Sequence, residues 1–204
     1  LRARVRGFLT ESSFEEGGKV TQGDVLFVID PSEYEAARDA AVARVQGVEA
    51  TIEEAEAQLA RYEKLATSGT ASAASLDEAK AKAGRARADH SAANAQLETA
   101  KLDLDYTKIA TPIAGRIGRA SVDTGNLVGP DSGILATVVA IDPVYVTFSV
   151  TERDYLSYLE AVKDGTAEAF KPKIRLVTGR MYDDEGEIDF YGTEVDPTTG
   201  TIPF

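Results

Sequence analysis

The chain has 204 residues, and its 34 acidic and 22 basic side chains give it a formal net charge of −12 at neutral pH. A charge of this sign disfavours nucleic acid and anionic membrane surfaces as partners, because both bind clustered Lys and Arg side chains. The absence of Cys excludes a disulfide framework, thiolate chemistry and a zinc finger, and the sequence contains no apolar run of the roughly 18 residues that a transmembrane helix needs.

The first 30 residues have the pattern of short strands separated by turns. Val25–Ile29 is an apolar run of strand type, and residues 16–19 contain the Gly pair of a turn. Asp30 then precedes Pro31, which predicts a helix start with a capping carboxylate and a ring-fixed first residue.

Two helical ladders follow this segment. Mostly apolar and small residues recur at alternating steps of four and three, which is the a/d rhythm of a coiled coil. The first ladder consists of Tyr34, Arg38, Ala41, Val45, Val48, Ile52, Ala55, Leu59, Tyr62 and Ala66. The second ladder consists of Ser72, Leu76, Ala79, Ala83, Ala86, His90, Ala93, Leu97, Ala100 and Leu104.

Residues 67–70 interrupt the helical pattern and predict a reversal of the chain at Gly69. In an antiparallel hairpin Leu59 then faces Ala79, so that large side chains on the first helix meet small ones on the second and the helices approach closely. With about 33 residues per helix and a rise of ~1.5 Å per residue, the hairpin is roughly 50 Å long. A hairpin of this length is a spacer or a reaching arm rather than a globular core.

The segment after the hairpin repeats the spacing of the segment before it. Gly7 is followed ten residues later by Gly17, and Gly115 is followed in the same way by Gly125. Residues 135–139 form a second strand-like run, and residues 123–126 a second turn. Chance recurrence in a β-rich sequence is the alternative, but both segments adjoin the ends of the hairpin. We therefore expect two halves of one small β-sandwich.

Residues 141–204 have another character. Residues 144–150, 173–178 and 187–191 alternate between apolar and polar side chains, as half-buried strands do. Thr151 precedes a short helical pattern that carries Tyr155, Leu156, Leu159 and Val162, and Gly165 is a plausible end of that helix. The pattern predicts barrel-like strands around one helix, and the module looks incomplete because a turn at residues 196–200 should lead into a further strand.

The order of half-sandwich, helical hairpin, half-sandwich and barrel resembles the periplasmic adaptors, or membrane fusion proteins, of resistance-nodulation-division (RND) tripartite efflux pumps, the AcrA/MexA-like members of the HlyD superfamily. Three stretches carry the resemblance: EGGKVTQGDVLFVIDP at 16–31 with Tyr34, LDYTKI at 104–109 with PIAGRIG at 112–118, and IDPVYV at 141–146.

The resemblance implies a multi-domain, elongated α+β fold. In it, residues 1–30 and 107–140 form a lipoyl-like β-sandwich from two halves, and residues 31–106 form an antiparallel coiled-coil α-hairpin with its tip near residues 67–71. Residues 141–204 form an incomplete β-barrel domain. A membrane-proximal domain, and an N-terminal lipid or helical anchor, belong to the family pattern and are not found in this sequence.

The resemblance also implies partners. These are an inner-membrane RND transporter, a TolC-type outer-membrane channel and further copies of the adaptor in the assembled pump. The implied location is the periplasm, with an anchor to the inner membrane in an N-terminal segment outside this sequence.

The resemblance assigns one set of site residues at the hairpin tip. Family adaptors carry the pattern Arg-x3-Leu-x6-Ser where the tip docks on the channel, and Arg61, Leu65 and Ser72 fit this spacing. Leu65 can supply an apolar knob, and Arg61 lies one turn away on the same helix face, where it can bind a carboxylate or a carbonyl oxygen. The structural alternative is an ordinary surface Arg, a Leu that covers the end of the coil, and an N-capping Ser.

No residue is assigned to catalysis, a cofactor or a metal. His90 occupies a ladder position opposite Val48, where a tolerated core residue is the simpler interpretation than a ligand or a pH switch. One Met and no Cys disfavour the export of soft cations such as copper or silver.

Three other functions stay open from the sequence. A lipoyl or biotinyl carrier domain shares the sandwich, but it displays a modified Lys on a tight hairpin between the halves, where this chain has residues 31–106. A coiled-coil scaffold unrelated to transport fits the helices alone. An adaptor of a type I secretion or ABC efflux system fits the whole order, although the tip residues favour the drug-efflux branch.

Overall fold

The structure is a computed structural model that describes residues 1–165 and 172–204. The chain divides into two compact units, Leu1–Asp142 and Pro143–Phe204. The first unit consists of short strands on either side of a helical hairpin, and this arrangement agrees with the predicted fold class. No helix in the described part of the chain is long and apolar enough to cross a membrane.

Seven strands and two long helices make up the first unit. The strands are β1 (Gly7–Ser12), β2 (Lys19–Val20), β3 (Val25–Ile29), β4 (Lys108–Ala110), β5 (Gly115–Ile117), β6 (Leu127–Val128) and β7 (Val138–Val139), and the helices are α1 (Ser32–Thr67) and α2 (Ala73–Asp105). Strands β4, β3, β1 and β6 form one sheet in that order, and β2, β5 and β7 form a second sheet.

Apolar side chains from both sheets share one core. Phe27 is fully buried and packs edge-to-face against Phe14, with 5.1 Å between the ring centroids. Leu9, Leu26, Ile29, Ile117, Val128 and Leu135 are buried in the same cluster. The apolar run of β3 therefore marks core residues as predicted, since Leu26, Phe27 and Ile29 fill the space between two sheets.

The two β segments pair with each other in a repeated register. Gly7 of β1 lies opposite Val128 of β6, and Gly115 of β5 lies opposite Val20 of β2. The glycines of the two turns, Gly17 and Gly125, both have the positive φ that the turns require, 76° and 91°. The spacing repeat in the sequence therefore reflects two similar halves, each of which completes its sheet with a strand of the other.

The predicted strand at residues 135–139 is shorter than expected. Only Val138–Val139 pair with β5, while the backbone N–H of Leu135 donates to the carbonyl oxygen of Leu1 at 2.9 Å. Leu135 and Ala136 are nevertheless fully buried. The apolar run thus marks core burial correctly, but the first residues of the chain take the backbone bonds that a longer strand would need.

The two helices pack along the predicted ladders. Every ladder position except Ser72 is buried or half-buried. Ala55, Ala83 and Ala86 form the centre of this seam, and Ile52 and Leu59 pack against them. This cluster agrees with the predicted antiparallel register, because it joins residues 52–59 of α1 to Ala83 and Ala86 of α2.

Charged side chains flank the seam. Lys82 Nζ of α2 lies 3.2 Å from Glu54 Oε1 and 3.0 Å from Gln58 Oε1 of α1, and Arg87 forms an ion pair with Glu56 at 2.9 Å. The four charged side chains are exposed, so each ion pair contributes little, on the order of 0 to 1 kcal/mol. The ion pairs favour one register of the two helices, in which the acidic part of α1 faces the basic part of α2.

The start of α1 differs slightly from the prediction. The helix begins at Ser32, so Pro31 precedes the first helical residue instead of occupying it. Asp30 has the predicted capping role, because its Oδ1 accepts hydrogen bonds from the backbone N–H of Ser32 at 3.0 Å and from the Ser32 hydroxyl at 2.6 Å. Both hydrogen bonds hold the pKa of the Asp30 carboxyl below its ordinary value, and the one from the hydroxyl has the larger effect.

The second unit contains the predicted helix but fewer strands. Helix α3 (Glu152–Lys163) begins after Thr151, whose hydroxyl oxygen accepts from the N–H of Asp154 at 3.3 Å. Strand β8 (Ser149–Thr151) pairs antiparallel with β9 (Thr201–Pro203). The rings of Phe148, Tyr155, Tyr191 and Phe204 cluster beside this pair.

One predicted strand of this unit is too long, and two other predicted segments form no strand. Of residues 144–150, only the last two belong to β8, and Val144 is 70% exposed. Residues 173–178 and 187–191 contain no strand, and a single bridge between Arg175 and Met181 closes a turn instead. Alternation alone does not make a strand, because the backbone also needs a neighbour that pairs with it. Residues 166–171 of the predicted barrel lie outside the described residues.

Candidate functional site: the hairpin tip

The tip of the hairpin is a compact reversal built on Gly69. Its φ of +73° belongs to the left-handed region that favours Gly. The N–H of Gly69 donates to the carbonyl oxygen of Ala66 at 3.1 Å, and the N–H of Thr70 donates to that of Leu65 at 2.9 Å. This pair of bonds is a Schellman motif, which ends α1 and satisfies its last carbonyl groups.

The return helix starts with a capped residue. Ser72 has extended backbone angles, and its hydroxyl oxygen accepts from the backbone N–H of Ser75 at 3.1 Å. The structural alternative for Ser72, an N-cap, is therefore present in the structure. Its side chain is also exposed, and the docking role that the family pattern gives it stays a prediction.

Arg61 and Leu65 lie one helical turn apart on α1, outside the packed ladder. Leu65 is 46% exposed, and its docking role stays a prediction beside the alternative that it covers the end of the coil. Arg61 is exposed as well, and no carboxylate among residues 1–165 and 172–204 forms an ion pair with it. An apolar side chain and a guanidinium without an ion-pair partner among the described residues are thus presented together near the tip.

The structure adds two tip residues that the sequence pattern did not single out. The hydroxyls of Ser68 and Thr70 lie 2.9 and 3.1 Å from the carbonyl oxygen of Leu65, and 2.7 Å from each other. Ser and Thr directly after a helix are a general signal for side-chain to backbone bonds, but which carbonyl they reach depends on the turn geometry.

The base of the hairpin carries a second feature that the sequence did not reveal. The Tyr34 hydroxyl donates to the carbonyl oxygen of Arg6 at 2.7 Å, and the guanidinium of Arg4 lies 4.8 Å from the centre of the Tyr106 ring. Both ends of the hairpin therefore contact the same short segment before β1.

His90 is half-buried on the seam, as its ladder position predicts. Its Nε2 lies 3.1 Å from Asn94 Nδ2 and 3.6 Å from Glu49 Oε1. Within the described residues, no group of three or more His, Cys, Asp or Glu side chains is placed to hold a metal ion.

Two Lys side chains are relevant to the carrier-domain alternative. Lys19 lies in β2 and Lys108 in β4, and both are exposed. The segment that joins the two sandwich halves is the long hairpin, whereas a carrier domain presents its modified Lys on a tight turn.

Curated relatives match nearly all of this chain. The efflux pump periplasmic linker BepD of Brucella suis is 40% identical over 99% of this chain and 53% of its own length. The multidrug efflux pump subunit AcrA of Escherichia coli is 36% identical over 99% of this chain and 52% of its own length. The chain therefore spans about half the length of these relatives.

Solved structures show the same fold. A protein from Bacteroides eggerthii described as a candidate efflux transporter superposes with a TM-score of 0.69 at 23% identity, over 100% of this chain and 55% of its own. A chimera of MacA that contains the α-hairpin domain of Pseudomonas aeruginosa MexA superposes with a TM-score of 0.57 at 21% identity, over 99% of this chain and 73% of its own.

Two family descriptions together cover the chain from its first residue to its last. Residues 1–142 match the barrel-sandwich hybrid domain of RND membrane fusion proteins, and residues 143–204 match the β-barrel domain of the same proteins. The division at residue 142 coincides with the boundary between the two compact units. The chain therefore belongs to the family of RND membrane fusion proteins.

Proposed function

We propose that this chain is part of a periplasmic adaptor in a tripartite multidrug efflux pump, and that it works by contact rather than by catalysis. The proposed adaptor bridges an inner-membrane RND transporter and a TolC-type outer-membrane channel. The names of the relatives, an efflux pump periplasmic linker and a multidrug efflux pump subunit, support this assignment. The proposed location is the periplasm, with an anchor in the inner membrane.

The observation that carries the proposal is the tip itself. Arg61 and Leu65 are exposed at the far end of two long helices, and neither is needed for the packing of the seam. A long arm that ends in an apolar knob beside an available guanidinium fits a docking role, since interfaces are typically anchored by a few apolar and Arg side chains.

The modules divide the work in this proposal. The hairpin, residues 31–106 with its tip near 67–71, reaches the channel through Arg61, Leu65 and Ser72. The sandwich, residues 1–30 and 107–140, carries the hairpin and contacts neighbouring copies of the adaptor. The β-barrel domain, residues 141–204, contacts the transporter in this proposal.

Two charge and polarity changes test the tip in the full-length protein in its source cell. Arg61→Asp reverses the charge, and Leu65→Ser removes the apolar knob while keeping the surface polar. Interface anchors commonly cost about 2 kcal/mol or more when they are lost, which is roughly thirtyfold in affinity. We expect crosslinking to the channel and drug resistance to collapse in both variants, while thermal melting and crosslinking to the transporter change little.

The chain offers matched controls for both changes. Leu102→Ser alters a Leu that is 50% exposed near the base of α2, and Arg85→Asp reverses an exposed Arg in the middle of α2. Both controls should keep resistance and channel crosslinking. Normal resistance in the two tip variants at wild-type expression, or an equal loss in the controls, would contradict docking through the tip.

The same crosslinking separates the RND adaptor from a secretion or ABC adaptor. A photo-reactive residue in the β-barrel domain, residues 141–204, should capture an RND transporter. Capture of an ABC ATPase subunit instead would assign the chain to the alternative branch.

A further inference from the structure

The carbonyl oxygen of Leu65 is the most heavily hydrogen-bonded backbone atom at the tip. It accepts from the backbone N–H groups of Thr70 at 2.9 Å and Ala71 at 3.3 Å. It also lies within hydrogen-bond distance of the Ser68 and Thr70 hydroxyls, at 2.9 and 3.1 Å. Four potential donors therefore converge on the backbone of the residue whose side chain forms the apolar knob.

The two hydroxyls act as a pair. Ser68 Oγ and Thr70 Oγ1 are 2.7 Å apart, so one of them can donate to the other. Each hydroxyl has one hydrogen, and the two hydrogens can satisfy two of the three contacts at a time. In every such arrangement at least one hydroxyl donates to the Leu65 carbonyl oxygen, and that oxygen stays bonded when the other hydroxyl rotates.

Leu65 needs this support more than the ladder residues do. Side chains such as Leu59 are fixed by packing on the seam, whereas the Leu65 side chain is nearly half exposed and has little packing to orient it. The direction of an exposed helical side chain then depends on the backbone that carries it. The last turn of a helix frays most easily, since its carbonyl groups lack partners within the helix.

We propose that Ser68 and Thr70 are positioning residues that hold the last turn of α1 closed, and thereby hold Leu65 in the orientation in which it docks. This inference rests on the proposed function of the tip. A knob that is already ordered before binding loses less conformational entropy when it binds, so the hydroxyl pair raises affinity without touching the partner.

The test removes the hydroxyls and keeps the shape. In the full-length protein, Ser68→Ala with Thr70→Val leaves the backbone bonds of the Schellman motif in place. Hydrogen exchange should become severalfold faster at the Thr70 and Ala71 amides, with no change in the middle of the helices. Binding to a detergent-solubilised TolC-type channel of the source cell should weaken about threefold to tenfold, as expected for one or two lost neutral hydrogen bonds. The melting temperature should stay the same.

A matched control lies in the same turn. The Thr67 hydroxyl donates to the carbonyl oxygen of Glu63 at 2.6 Å and does not reach Leu65. Thr67→Val therefore removes one tip hydroxyl without opening the pair, and should bind the channel like the wild type. The double exchange Ser68→Thr with Thr70→Ser keeps a hydroxyl at both positions. It should therefore keep the amide protection and the channel affinity of the wild type.

A double-mutant cycle with Leu65→Ser distinguishes positioning from direct contact. If the hydroxyls act through Leu65, their removal from the Leu65→Ser variant causes no further loss of affinity. Additive losses would mean that the hydroxyls bind the channel themselves and would overturn the inference. Unchanged amide exchange at Thr70 and Ala71 would overturn it too.

The two proposals fail in different measurements. If Leu65→Ser alone binds the channel normally, the docking function is wrong. If Leu65→Ser abolishes binding while Ser68→Ala with Thr70→Val has no effect on affinity, the docking function stands and the positioning role is wrong.

Discussion

The hydroxyl of Tyr34 donates a hydrogen bond of 2.7 Å to the backbone carbonyl oxygen of Arg6, and this bond attaches the first turns of α1 to the segment that leads into β1. Two residues earlier, Arg4 packs over the ring of Tyr106 at the end of α2. Both bases of the hairpin are thus tied to one segment of three residues. This junction relates the direction of the arm to the sandwich.

Tyr34→Phe tests the first of these contacts. The change removes the hydroxyl alone and leaves an acceptor without its partner, so we expect a loss of about 1 kcal/mol in the free energy of unfolding. Urea unfolding followed by circular dichroism at the helix band measures it. Tyr62→Phe is the control, because Tyr62 occupies the same ladder near the tip and should tolerate the change. Equal midpoints for the wild type and Tyr34→Phe would show that the bond does not stabilise the junction.

Ala83→Leu tests the close approach of the helices. Ala83 is only 1% exposed and lies in the centre of the seam with Ile52 and Leu59. A larger side chain overpacks this site, so the free energy of unfolding should fall by about 1 to 3 kcal/mol. Ala81→Leu, the same substitution on the exposed face of α2, should stay within about 0.5 kcal/mol of the wild type. If both variants lose the same stability, the register of the seam is wrong.

Two helical glycines should be replaceable with a gain in stability. A Cβ atom built on Gly47 or Gly84 meets nothing within 4 Å, and both residues are exposed inside long helices. Since Gly in a helix interior costs about 1 kcal/mol relative to Ala, each change to Ala should raise the free energy of unfolding by about that amount. Chemical denaturation measures the gain. A lower stability in either variant would contradict the open space around these two positions.

Gly115 should respond in the opposite way. A Cβ atom there would overlap the carbonyl oxygen of Val139, which is backbone of the neighbouring strand and cannot turn aside. Gly115→Ala should therefore force β5 and β7 apart and cost at least about 1 to 3 kcal/mol, the usual range for overpacking. Hydrogen exchange at the amides of these two strands would locate the damage. A variant as stable as the wild type would contradict the close approach of the two strands.

The cap of Asp30 predicts a dependence of stability on pH. Its hydrogen bonds with Ser32 lower the pKa of the Asp30 carboxyl in the folded protein below the ordinary value of 3.8. A lowered pKa stabilises the fold fully at pH values above the ordinary one, and this contribution is lost as the pH falls through the folded-state pKa. The difference in urea midpoint between the wild type and Asp30→Asn should therefore be constant from pH 7 to about pH 5 and shrink below about pH 4. A difference that does not change with pH would rule out the carboxylate as its source.

The hairpin could be predicted in detail because its signal is local and long. A heptad rhythm that continues over ten positions in each helix determines the seam, and Gly69 marks the one place where the chain can reverse. The same reasoning failed in the second unit, where Val144 and Val146 alternate with polar residues but pair with no strand in the part of the chain that the structure describes. A strand depends on a neighbour that is remote in the sequence, and a period of two does not say whether that neighbour is there.

The candidate site, too, could be predicted only in part from the sequence. The spacing of Arg61, Leu65 and Ser72 is visible in the sequence, and the exposure of all three in the structure is compatible with it. The hydroxyl pair of Ser68 and Thr70 was not predictable, because the carbonyl group that it reaches becomes available only once the Schellman turn has formed. The junction of Tyr34 with Arg6 was hidden for a different reason, since it joins residues from two separate modules.

The hairpin also helps to close the sandwich, because strands from the first half of the sandwich pair with strands from the second half. Gly7 pairs with Val128 and Val20 pairs with Gly115, so the partners lie 121 and 95 positions apart, and a flexible connection of that length would oppose closure with its entropy. Two helices that zip together return the chain to its starting point, so the ends of the connection stay adjacent whatever its length. Matched insertions or deletions of one heptad in each helix would then keep the seam and the base unchanged and move the tip by ~10 Å. Evolution can in this way adjust the reach of the arm to the distance it must span, without redesigning the domain that carries it.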